Sequence, residues 1–390
     1  MKPTPLLRLT RRAFQSITPR GLALILMLTA FSLQLTAQTA TSSTSQPPAT
    51  SQSPATSQSP ASQPAAAAEN QARIASTLPA DQAIAPLIYL ASDRLKGRSV
   101  SRPEIDTAAR YIADQFQAAG AKPIPGANGY FQLFTMMTSD SPHRELHLKN
   151  VMAYIQGTDP ALRGQYIVLS AHYDHLGVTK HPKIEDGKLD SIYNGARDNA
   201  LGSTAVIDAA KYFGRYPPKR SVMFVTYSAE EEGLIGSEYY AAHPVIPLNH
   251  TVYNLNIDNA SYNDTTLISL VGLNRTSEDS NIISACRVYG LSVNGDPTGG
   301  QLFYESDNAP LAKKGIPAPT YSLGMRTFDS TIFNRYHRLS DETGNMDMHY
   351  AVKFIRAYIL SAIYIADDAA QPMWTKGDMY EKEWLKLQSH

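Results

Sequence analysis

Residues that can bind a metal ion or move a proton come directly after short apolar runs of the chain. His172 and Asp174 follow the run YIVLS at 166–170, and Asp258 follows VYNLNI at 252–257. In this spacing an imidazole can bind a metal while the carboxylate two residues on fixes its other ring nitrogen. An HxD pair alone is also typical of a structural polar pair, so its interpretation depends on what else the chain places near it.

Three consecutive acids, at 230–232, follow the apolar run SVMFVTY at 221–227. Acids at a helix start can simply be solvated, but three of them at the end of a strand repel one another unless a cation lies nearby. Asp198 and His337 are further candidates. Imidazole and carboxylate ligands together suit zinc, and one shared carboxylate holds two ions about 3.5 Å apart. The joint occurrence of these residues at successive strand ends favours a catalytic metal site.

The apolar runs alternate with helical patterns, and this alternation predicts the fold. Four runs have the length and composition of buried strands: 166–170, 221–227, 252–257 and 267–272. Residues 199–213 and 347–366 instead carry apolar side chains at three- and four-residue spacing, as amphipathic helices do. We therefore predict an α/β fold, a single large doubly wound domain with a mainly parallel mixed sheet flanked by helices on both faces. In such a sheet the site lies beyond the carboxyl ends of the strands, where the polar residues fall.

These motifs resemble the M28 family of zinc peptidases over nearly the whole of this domain. The similarity is carried by YLASDRLKGR at 89–98, residues 111–120, NV at 150–151, HYDHLG at 172–177, GARDN at 195–199, AEEEGL at 229–234, SDN at 306–308, KGIPA at 314–318 and YH at 336–337. The resemblance implies a co-catalytic site with two zinc ions per chain. Carried over residue by residue, it assigns His172 and Asp258 to one zinc, Glu231 and His337 to the other, and Asp198 to both.

The same resemblance implies that Glu230 is the general base and that Tyr336 is a candidate donor to the oxyanion. With Asp174, which is expected to orient His172, they are the predicted catalytic residues. Family members hold the bridging aspartate in a cis peptide with the next residue, which here is the bond between Asp198 and Asn199.

Three positions depart from the family pattern. Arg197 stands where many relatives carry Asp, Asn308 replaces the His common after Ser-Asp, and Asn259-Ala260 replaces an apolar-Gly stretch. None is a ligand, so these departures bear on the substrate pocket and not on the metals. About 20 residues separate Tyr130 from Asn150, too few for the protease-associated domain that some relatives insert there.

The predicted activity is hydrolysis of a peptide bond, and aminopeptidase action is favoured because a free substrate amine can sit against a metal-site carboxylate. Carboxypeptidase and dipeptidase action remain open. A rival is glutaminyl cyclisation, which relatives on the same scaffold perform with one zinc. Cyclases need only Asp, Glu and His, whereas this chain keeps both His172 and Asp174, which favours a hydrolase. A binding module that had lost its chemistry would show broken ligand motifs, and here every motif position is present.

The N-terminal residues have the layout of a signal peptide. Basic residues precede the apolar run at 22–35, and residues 36–38 offer a small-residue cleavage point. The run is about 14 residues long, whereas spanning a bilayer takes about 20. We therefore predict a signal peptide at 1–37, a periplasmic or secreted location and no stable membrane anchor after cleavage; the Arg11-Arg12 pair leaves Sec and twin-arginine export both open.

After the signal peptide, the composition predicts two further regions. Residues 38–68 consist mainly of Ser, Thr, Pro, Gln and Ala, which predicts a disordered linker, and the peptidase domain follows at 69–390.

Charge and cysteine content exclude other classes of protein. Thirty-five basic and thirty-five acidic residues leave a formal net charge of zero, so no global field draws the chain to nucleic acid or anionic lipid. The partner that we expect is a peptide substrate. The single cysteine, Cys286, excludes an internal disulfide framework. The sequence does not indicate which substrate side chains are preferred or what the oligomeric state is.

Overall fold

The computed structural model describes residues 62–139, 142–185 and 187–389. The predicted signal peptide and most of the predicted linker lie outside these residues. The first described helix spans Ser62–Thr77, so the boundary predicted at residue 68 falls within a helix. Alanine has the highest helix propensity, and composition alone does not separate the Ala-rich start of a helix from an Ala-rich linker. Among the described residues, none of the helices has the length and apolar character needed to cross a bilayer.

Helices and strands alternate along the described residues. The helices are α1 (Ser62–Thr77), α2 (Ala80–Leu90), α3 (Glu104–Ala118), α4 (Gly202–Arg215), α5 (Ile235–Ala242), α6 (Asp279–Val288), α7 (Asn308–Lys313), α8 (Ser330–Phe333), α9 (Met348–Asp367) and α10 (Glu381–Gln388). The strands are β1 (Phe131–Met137), β2 (Glu145–Ile155), β3 (Tyr166–His172), β4 (Gly177–Glu185), β5 (Lys188–Tyr193), β6 (Ser221–Tyr227), β7 (Thr251–Ile257), β8 (Leu267–Val271), β9 (Ser292–Asn294) and β10 (Thr320–Leu323).

Within the described part of the chain, eight strands form one mixed sheet in the order β1-β2-β6-β3-β7-β10-β8-β9. The central strands β6, β3, β7 and β10 run parallel to their neighbours in this group. Antiparallel pairs lie toward the edges, where β1 and β2 pair across the interval that separates Tyr130 from Asn150. The predicted α/β class with a mainly parallel sheet is confirmed.

The sheet is buried on both faces because its strands alternate their apolar side chains between two clusters. On β3, Ile167 and Leu169 belong to one cluster, whereas Val168 belongs to the other. The first cluster is built on α2, α3, α4, α6 and α9, and the second includes residues of α5 and α7. This two-sided burial explains why the central strands read as continuous apolar runs and not as alternating ones.

The predicted elements are present, with shifts at their ends. The four apolar runs became β3, β6, β7 and β8, and the helical pattern at 347–366 became α9. The helix predicted from residue 199 begins at Gly202, because the preceding residues Ala196–Leu201 form a wide turn in which Asp198 has a non-helical backbone.

The parallel strands carry the predicted ligands to one edge of the sheet. His172 is the last residue of β3, and Asp258 directly follows β7, its neighbour. Glu230 and Glu231 come after β6, which flanks β3 on the other side. Since parallel strands end at the same edge, these side chains meet beyond the carboxyl ends of β6, β3 and β7.

Candidate metal centre

His172 anchors a first group of ligand atoms. Its side chain is 1% exposed, and its Nε2 lies 3.3 Å from Asp198 Oδ1 and 3.3 Å from Asp258 Oδ1. These three residues place one ligand atom each within 4.8 Å of one another. The group therefore brings together three of the five ligands that the sequence predicts.

A second group of ligand atoms lies on the other side of Asp198. His337 Nε2 is 3.1 Å from Asp198 Oδ2 and 3.1 Å from Glu231 Oε2. The two carboxylate oxygens of Asp198 thus face different groups, as a carboxylate shared by two ions must do. All five predicted ligands meet here, although whether each binds a metal stays a prediction.

The spacing of these atoms fits zinc. Two ligand atoms about 2.0–2.1 Å from one tetrahedral zinc lie about 3.3 Å from each other. The four distances from an imidazole nitrogen to a carboxylate oxygen in the two groups measure 3.3, 3.3, 3.1 and 3.1 Å, close to that value. Imidazole nitrogens and carboxylate oxygens are also the donors that zinc accepts.

Glu230 and Glu231 are presented by a tight turn after β6. Ala229, with φ of +60°, turns the chain out of the strand, and Gly233 and Leu234 donate backbone hydrogen bonds to the Glu230 carbonyl oxygen. Glu231 points its carboxylate into the second group, whereas Glu230 Oε2 lies 3.9 Å from His172 Nε2. The two neighbouring acids therefore occupy different places.

Asp174 supports this turn from behind. Its side chain is 1% exposed, and its Oδ1 and Oδ2 accept hydrogen bonds from the backbone N–H groups of Glu230, at 3.1 Å, and Glu231, at 3.3 Å. The predicted contact of this carboxylate with the His172 ring is corrected, because His172 Nδ1 lies 3.3 Å from the Asp174 carbonyl oxygen and 3.9 Å from the carboxylate, which is engaged by the turn. The structure thus places Asp174 as a positioning residue beneath the acids, away from the open side of the site.

The turn that carries Asp198 is fixed by Asp341. Its carboxylate accepts hydrogen bonds from the backbone N–H groups of Arg197 and Asp198 and forms a buried ion pair with Arg197 Nη1 at 2.9 Å. The peptide bond between Asp198 and Asn199 is cis, as predicted. The Asn199 side chain donates to the Ile257 carbonyl oxygen at 2.8 Å, which joins this turn to the residue before Asp258.

Arg98 lies beneath the same turns and is fully buried. Its guanidinium donates to four backbone carbonyl oxygens, those of Leu90, Tyr173, Asn194 and Gly195. Burial lowers the pKa of Arg98 to about 10, although Asp198 and Asp174 oppose that shift. Arg98 therefore supplies a buried positive charge behind the acids and ties α2 to two segments of the site.

The electrostatics of the side chains reflect this crowding of acids and imidazoles. Burial alone would lower the pKa of His172, but Glu230 and Asp258 raise it well above its usual value. Burial would likewise lower the pKa of His337, yet Glu231 and Asp198 raise it well above the usual value. Burial raises the pKa of Asp174 to about 7. The carboxylates thus stabilise positive charge at the very atoms that are placed to bind metal.

The site opens on the side of His337 and Asp258. Their side chains are 28% and 19% exposed, whereas those of the other predicted ligands are 6% exposed or less. The Tyr336 ring stacks on the His337 ring with centroids 4.0 Å apart. Burial and then Asp198 raise the pKa of Tyr336 well above its usual value, so its hydroxyl keeps its proton and can donate.

An apolar cluster lies beside this opening. Ala260, Met325 and Ile332 are buried, and Leu302, Phe328 and Tyr336 pack against them. Ala260 lies two residues after Asp258, and Tyr336 directly precedes His337. The open side of the site is therefore flanked by apolar side chains.

The side chains at the three positions that depart from the family pattern form contacts inside the protein. Arg197 pairs with Asp341, and its guanidinium also lies over the Tyr262 ring. The fully buried Asn259 donates to Asn199 and accepts from the Leu323 backbone N–H. The Asn308 side chain, also fully buried, donates to the Ala318 carbonyl oxygen at 3.0 Å. These side chains therefore stabilise the segments of the chain that they contact.

Sequence reasoning missed three residues that contact the site or its supports, namely Arg98, His175 and Asp341. His175 Nδ1 lies 2.8 Å from Glu231 Oε1. The available signal was their position: Arg98 and His175 lie inside the motifs at 89–98 and 172–177, and Asp341 lies four residues after His337. Their partners lie far along the chain, so spacing alone did not identify the contacts.

Comparison with known proteins gives one family and a set of distant relatives. The model of Peptidase family M28 matches residues 150–361. A vacuolar membrane protease of Tuber melanosporum is 24% identical over 283 residues, which cover 68% of this chain and 26% of that protein. The chain thus spans about a quarter of the length of this relative.

Two solved structures show the same fold. The LapA aminopeptidase of Legionella pneumophila superposes with a TM-score of 0.56 at 21% identity, over 78% of this chain and 73% of that one. The glutaminyl cyclase of Porphyromonas gingivalis superposes with a TM-score of 0.55 at 15% identity, over 73% of this chain and 98% of that one. Since proteins named for two different reactions match about equally well, the fold alone does not select a reaction.

The predicted periplasmic or secreted location is contradicted by the curated relatives. Relatives from the fungi Tuber melanosporum and Saccharomyces cerevisiae are named vacuolar membrane proteases, and a vacuolar membrane is not a periplasmic or secreted location. The prediction rested on the basic and apolar pattern of residues 1–37, which lie outside the described residues. A short basic segment followed by an apolar run records charge and hydropathy, and these properties do not by themselves specify a compartment.

Proposed function

The chain belongs to Peptidase family M28, and from that premise we propose that it is a two-zinc exopeptidase that releases amino-terminal residues from peptides. The observation that carries this proposal is the position of Asp198. Its Oδ1 lies 3.3 Å from His172 and its Oδ2 lies 3.1 Å from His337, so one carboxylate serves two ligand groups. Such a shared carboxylate supports a pair of ions.

The ligands of the proposed ions are His172, Asp198 and Asp258 for one, and Asp198, Glu231 and His337 for the other. When bound, such a pair of zinc ions supplies Lewis-acid polarisation of the scissile carbonyl and lowers the pKa of a water molecule toward neutrality. Zinc is favoured over manganese and cobalt by the general affinity order of divalent metals.

Glu230 is the proposed general base. Its carboxylate lies near the first ligand group, 3.9 Å from His172 Nε2, and its backbone N–H is held by Asp174. In this role Glu230 accepts a proton from the attacking water and then passes it to the amine that leaves when the peptide bond breaks. One carboxylate thus serves two successive proton transfers.

The residues on the open side of the site suggest where the substrate amine, the oxyanion and the substrate side chain bind. We place the substrate amine near Asp258, because this carboxylate is the more exposed of the acidic ligands at 19%. The Tyr336 hydroxyl remains a donor and is proposed to bind the oxygen that becomes negatively charged. The neighbouring apolar cluster of Ala260, Met325 and Ile332 favours substrates with an apolar amino-terminal residue.

Carboxypeptidase action is a second candidate, and one observation favours it. Arg335 and Arg338 flank His337, and each donates a single described hydrogen bond to a backbone carbonyl oxygen, of Ser340 and Phe333 respectively. A guanidinium is the group that would bind a substrate carboxylate, so these two arginines are candidates through their position next to His337 in the chain.

Metal analysis of the purified protein tests the site. We expect two zinc ions per chain, loss of activity when a chelator removes them, and recovery of activity when zinc is returned. A single tightly held ion, together with cyclisation of peptides that begin with Gln, would favour the cyclase and refute the two-zinc proposal.

A matched pair of substrates tests the type of peptidase. Leucine anilide and N-acetyl-leucine anilide differ only in the free amine, so an aminopeptidase cleaves the first and spares the second. Release of the last residue from an N-blocked peptide would instead establish carboxypeptidase action. Cleavage of both anilides at similar rates would refute the proposed recognition of the amine.

A further inference from the structure

His175 is a buried imidazole that the proposed mechanism does not use. It lies three residues after His172, and its side chain is 0% exposed. Its ring packs against Gly195, where an added Cβ would come within 2.5 Å of the ring. Its Nδ1 lies 2.8 Å from Glu231 Oε1, while its Nε2 has no hydrogen-bond partner among the described residues.

Distances separate two roles that His175 could have. A ligand of the second ion would lie about 3.3 Å from the other ligand atoms, as His337 does at 3.1 Å from both Asp198 and Glu231. His175 Nδ1 is instead 2.8 Å from Glu231 Oε1 and 3.9 Å from Asp198 Oδ2. His175, Asp198 and Glu231 also place one ligand atom each within 4.8 Å of one another. The 2.8 Å distance is nevertheless that of a hydrogen bond, and the 3.9 Å distance exceeds the spacing of about 3.3 Å expected between two ligands of one zinc ion.

The two oxygens of Glu231 are therefore divided between two imidazoles. Oε1 lies 2.8 Å from His175, and Oε2 lies 3.1 Å from His337. In His175 only Nδ1 faces a described acceptor, and a carboxylate oxygen accepts hydrogen bonds. We therefore assign the N–H of this contact to Nδ1, which donates to Oε1.

We propose that His175 is a positioning residue that holds Glu231 Oε1 by a hydrogen bond and thereby directs Oε2 alone to the second zinc ion. This inference rests on the proposed two-zinc function. A carboxylate held in this way would offer the ion one oxygen and not two, and a catalytic zinc site needs a position that protein ligands do not fill. Outer hydrogen bonds of this type set both the orientation of a ligand and the affinity for the metal.

Two variants of His175 distinguish a hydrogen-bond donor from a ligand. His175→Asn keeps an N–H three bonds from Cα, at the position of Nδ1, but an amide nitrogen does not bind zinc. His175→Leu fills a similar volume and has no donor. Each metal-free protein is titrated with zinc in the presence of a chromophoric chelator, which reports the affinity of both sites without any measurement of activity.

We expect the Leu variant to bind its first zinc with the wild-type affinity, because His172, Asp198 and Asp258 are unchanged, and its second zinc about 10- to 100-fold more weakly. The Asn variant should bind both ions within about threefold of the wild type. Retention of the first site in both variants also shows that each has folded.

Three results would overturn the inference. If both variants lost the second ion to the same extent, His175 would be a ligand and not a donor. If the Leu variant bound two ions as tightly as the wild type, His175 would serve packing alone. If the wild type itself bound a single ion, the two-zinc function would be refuted and this inference with it, so the failures of the two ideas are distinguishable.

Discussion

Replacing Glu230 by Gln tests whether two adjacent acids, Glu230 and Glu231, have different roles, one as the general base and the other as a metal ligand. Glu231 has both of its carboxylate oxygens engaged, at 2.8 Å from His175 and 3.1 Å from His337, inside the second ligand group. Glu230 instead faces the first group, 3.9 Å from His172 Nε2, and its backbone is fixed by Asp174. Because Gln keeps the shape of Glu, Glu230→Gln removes the base while leaving the turn and the ligand set in place.

The expected loss of turnover is large. A positioned acid or base typically contributes about 10²–10⁴-fold to one proton transfer. Because Glu230 would serve two transfers, we expect kcat to fall by about 10³–10⁵-fold, which corresponds to about 4–7 kcal/mol in the activation free energy. KM and the zinc content should stay near the wild-type values, since no predicted ligand changes.

The assay compares three single substitutions in the same run of acids. Steady-state kinetics on leucine anilide and zinc analysis are measured for Glu230→Gln, Glu231→Gln and Glu232→Gln. Glu232 is exposed and serves as the matched control, so its variant should behave like the wild type. Glu231→Gln should lose affinity for one of the two ions, and its activity should partly recover when zinc is added in excess.

Two results would refute this reasoning. Loss of an ion from Glu230→Gln would show that Glu230 is a ligand, and the motif would then need to be shifted by one residue. Turnover within about tenfold of the wild type would show that another group moves the proton.

Further predictions concern the supports of the site and one buried acid. Asp341→Asn should lower the free energy of unfolding, measured by urea denaturation, by about 3–5 kcal/mol, because the Arg197 guanidinium stays buried without its carboxylate partner. A loss below about 1 kcal/mol would contradict this role of Asp341. Arg98→Met should cost at least about 3 kcal/mol and lower Tm, because four carbonyl oxygens lose their donor, and an unchanged Tm would refute it. Burial raises the pKa of Asp208 to about 7, although Lys211 opposes the shift. The folded protein therefore binds a proton that the unfolded chain releases near pH 4, and its stability falls by about 1.4 kcal/mol per pH unit from about pH 4 to about pH 7. Asp208→Asn should remove this loss, so its Tm relative to the wild type should be higher at pH 8 than at pH 5; the same Tm difference at both pH values would argue against it.

The central strands and the helix α9 were predictable because buried strands and helices have a recognisable pattern of apolar residues in the sequence. The strands β3, β6, β7 and β8 are apolar runs, and α9 has a helical period over its whole length. The strand β10 was not predicted, since Thr320–Leu323 is too short to show a period and follows a segment with three prolines between 310 and 319. Pairing in the sheet, and not the local sequence, determines that it is a strand.

The residues that meet at the candidate metal centre were predictable, whereas most of the residues that support them were not. His172 and Asp258 are recognisable because their types and places at strand ends are properties of the local sequence. Apart from the bond of Arg98 to Leu90, the side chains of Arg98 and Asp341 bond to residues 75 to 144 positions away. A periodic pattern in the sequence does not reveal such contacts. Arg197 shows the same difficulty, since it is a departure from the family pattern whose reason becomes visible only beside Asp341.

The order of strands in the sheet also constrains how a nascent chain can fold. β10 lies between β7 and β8, although it is made after both of them and after β9. Until residues 320–323 leave the ribosome, β7 has an open edge, and β8 with β9 cannot join the sheet. Open strand edges in partly folded chains promote aggregation. We therefore expect fragments that end before Thr320 to be insoluble. If the proposed metals bind, they should load after synthesis of the last predicted ligand, His337, because the second ligand group does not exist before then.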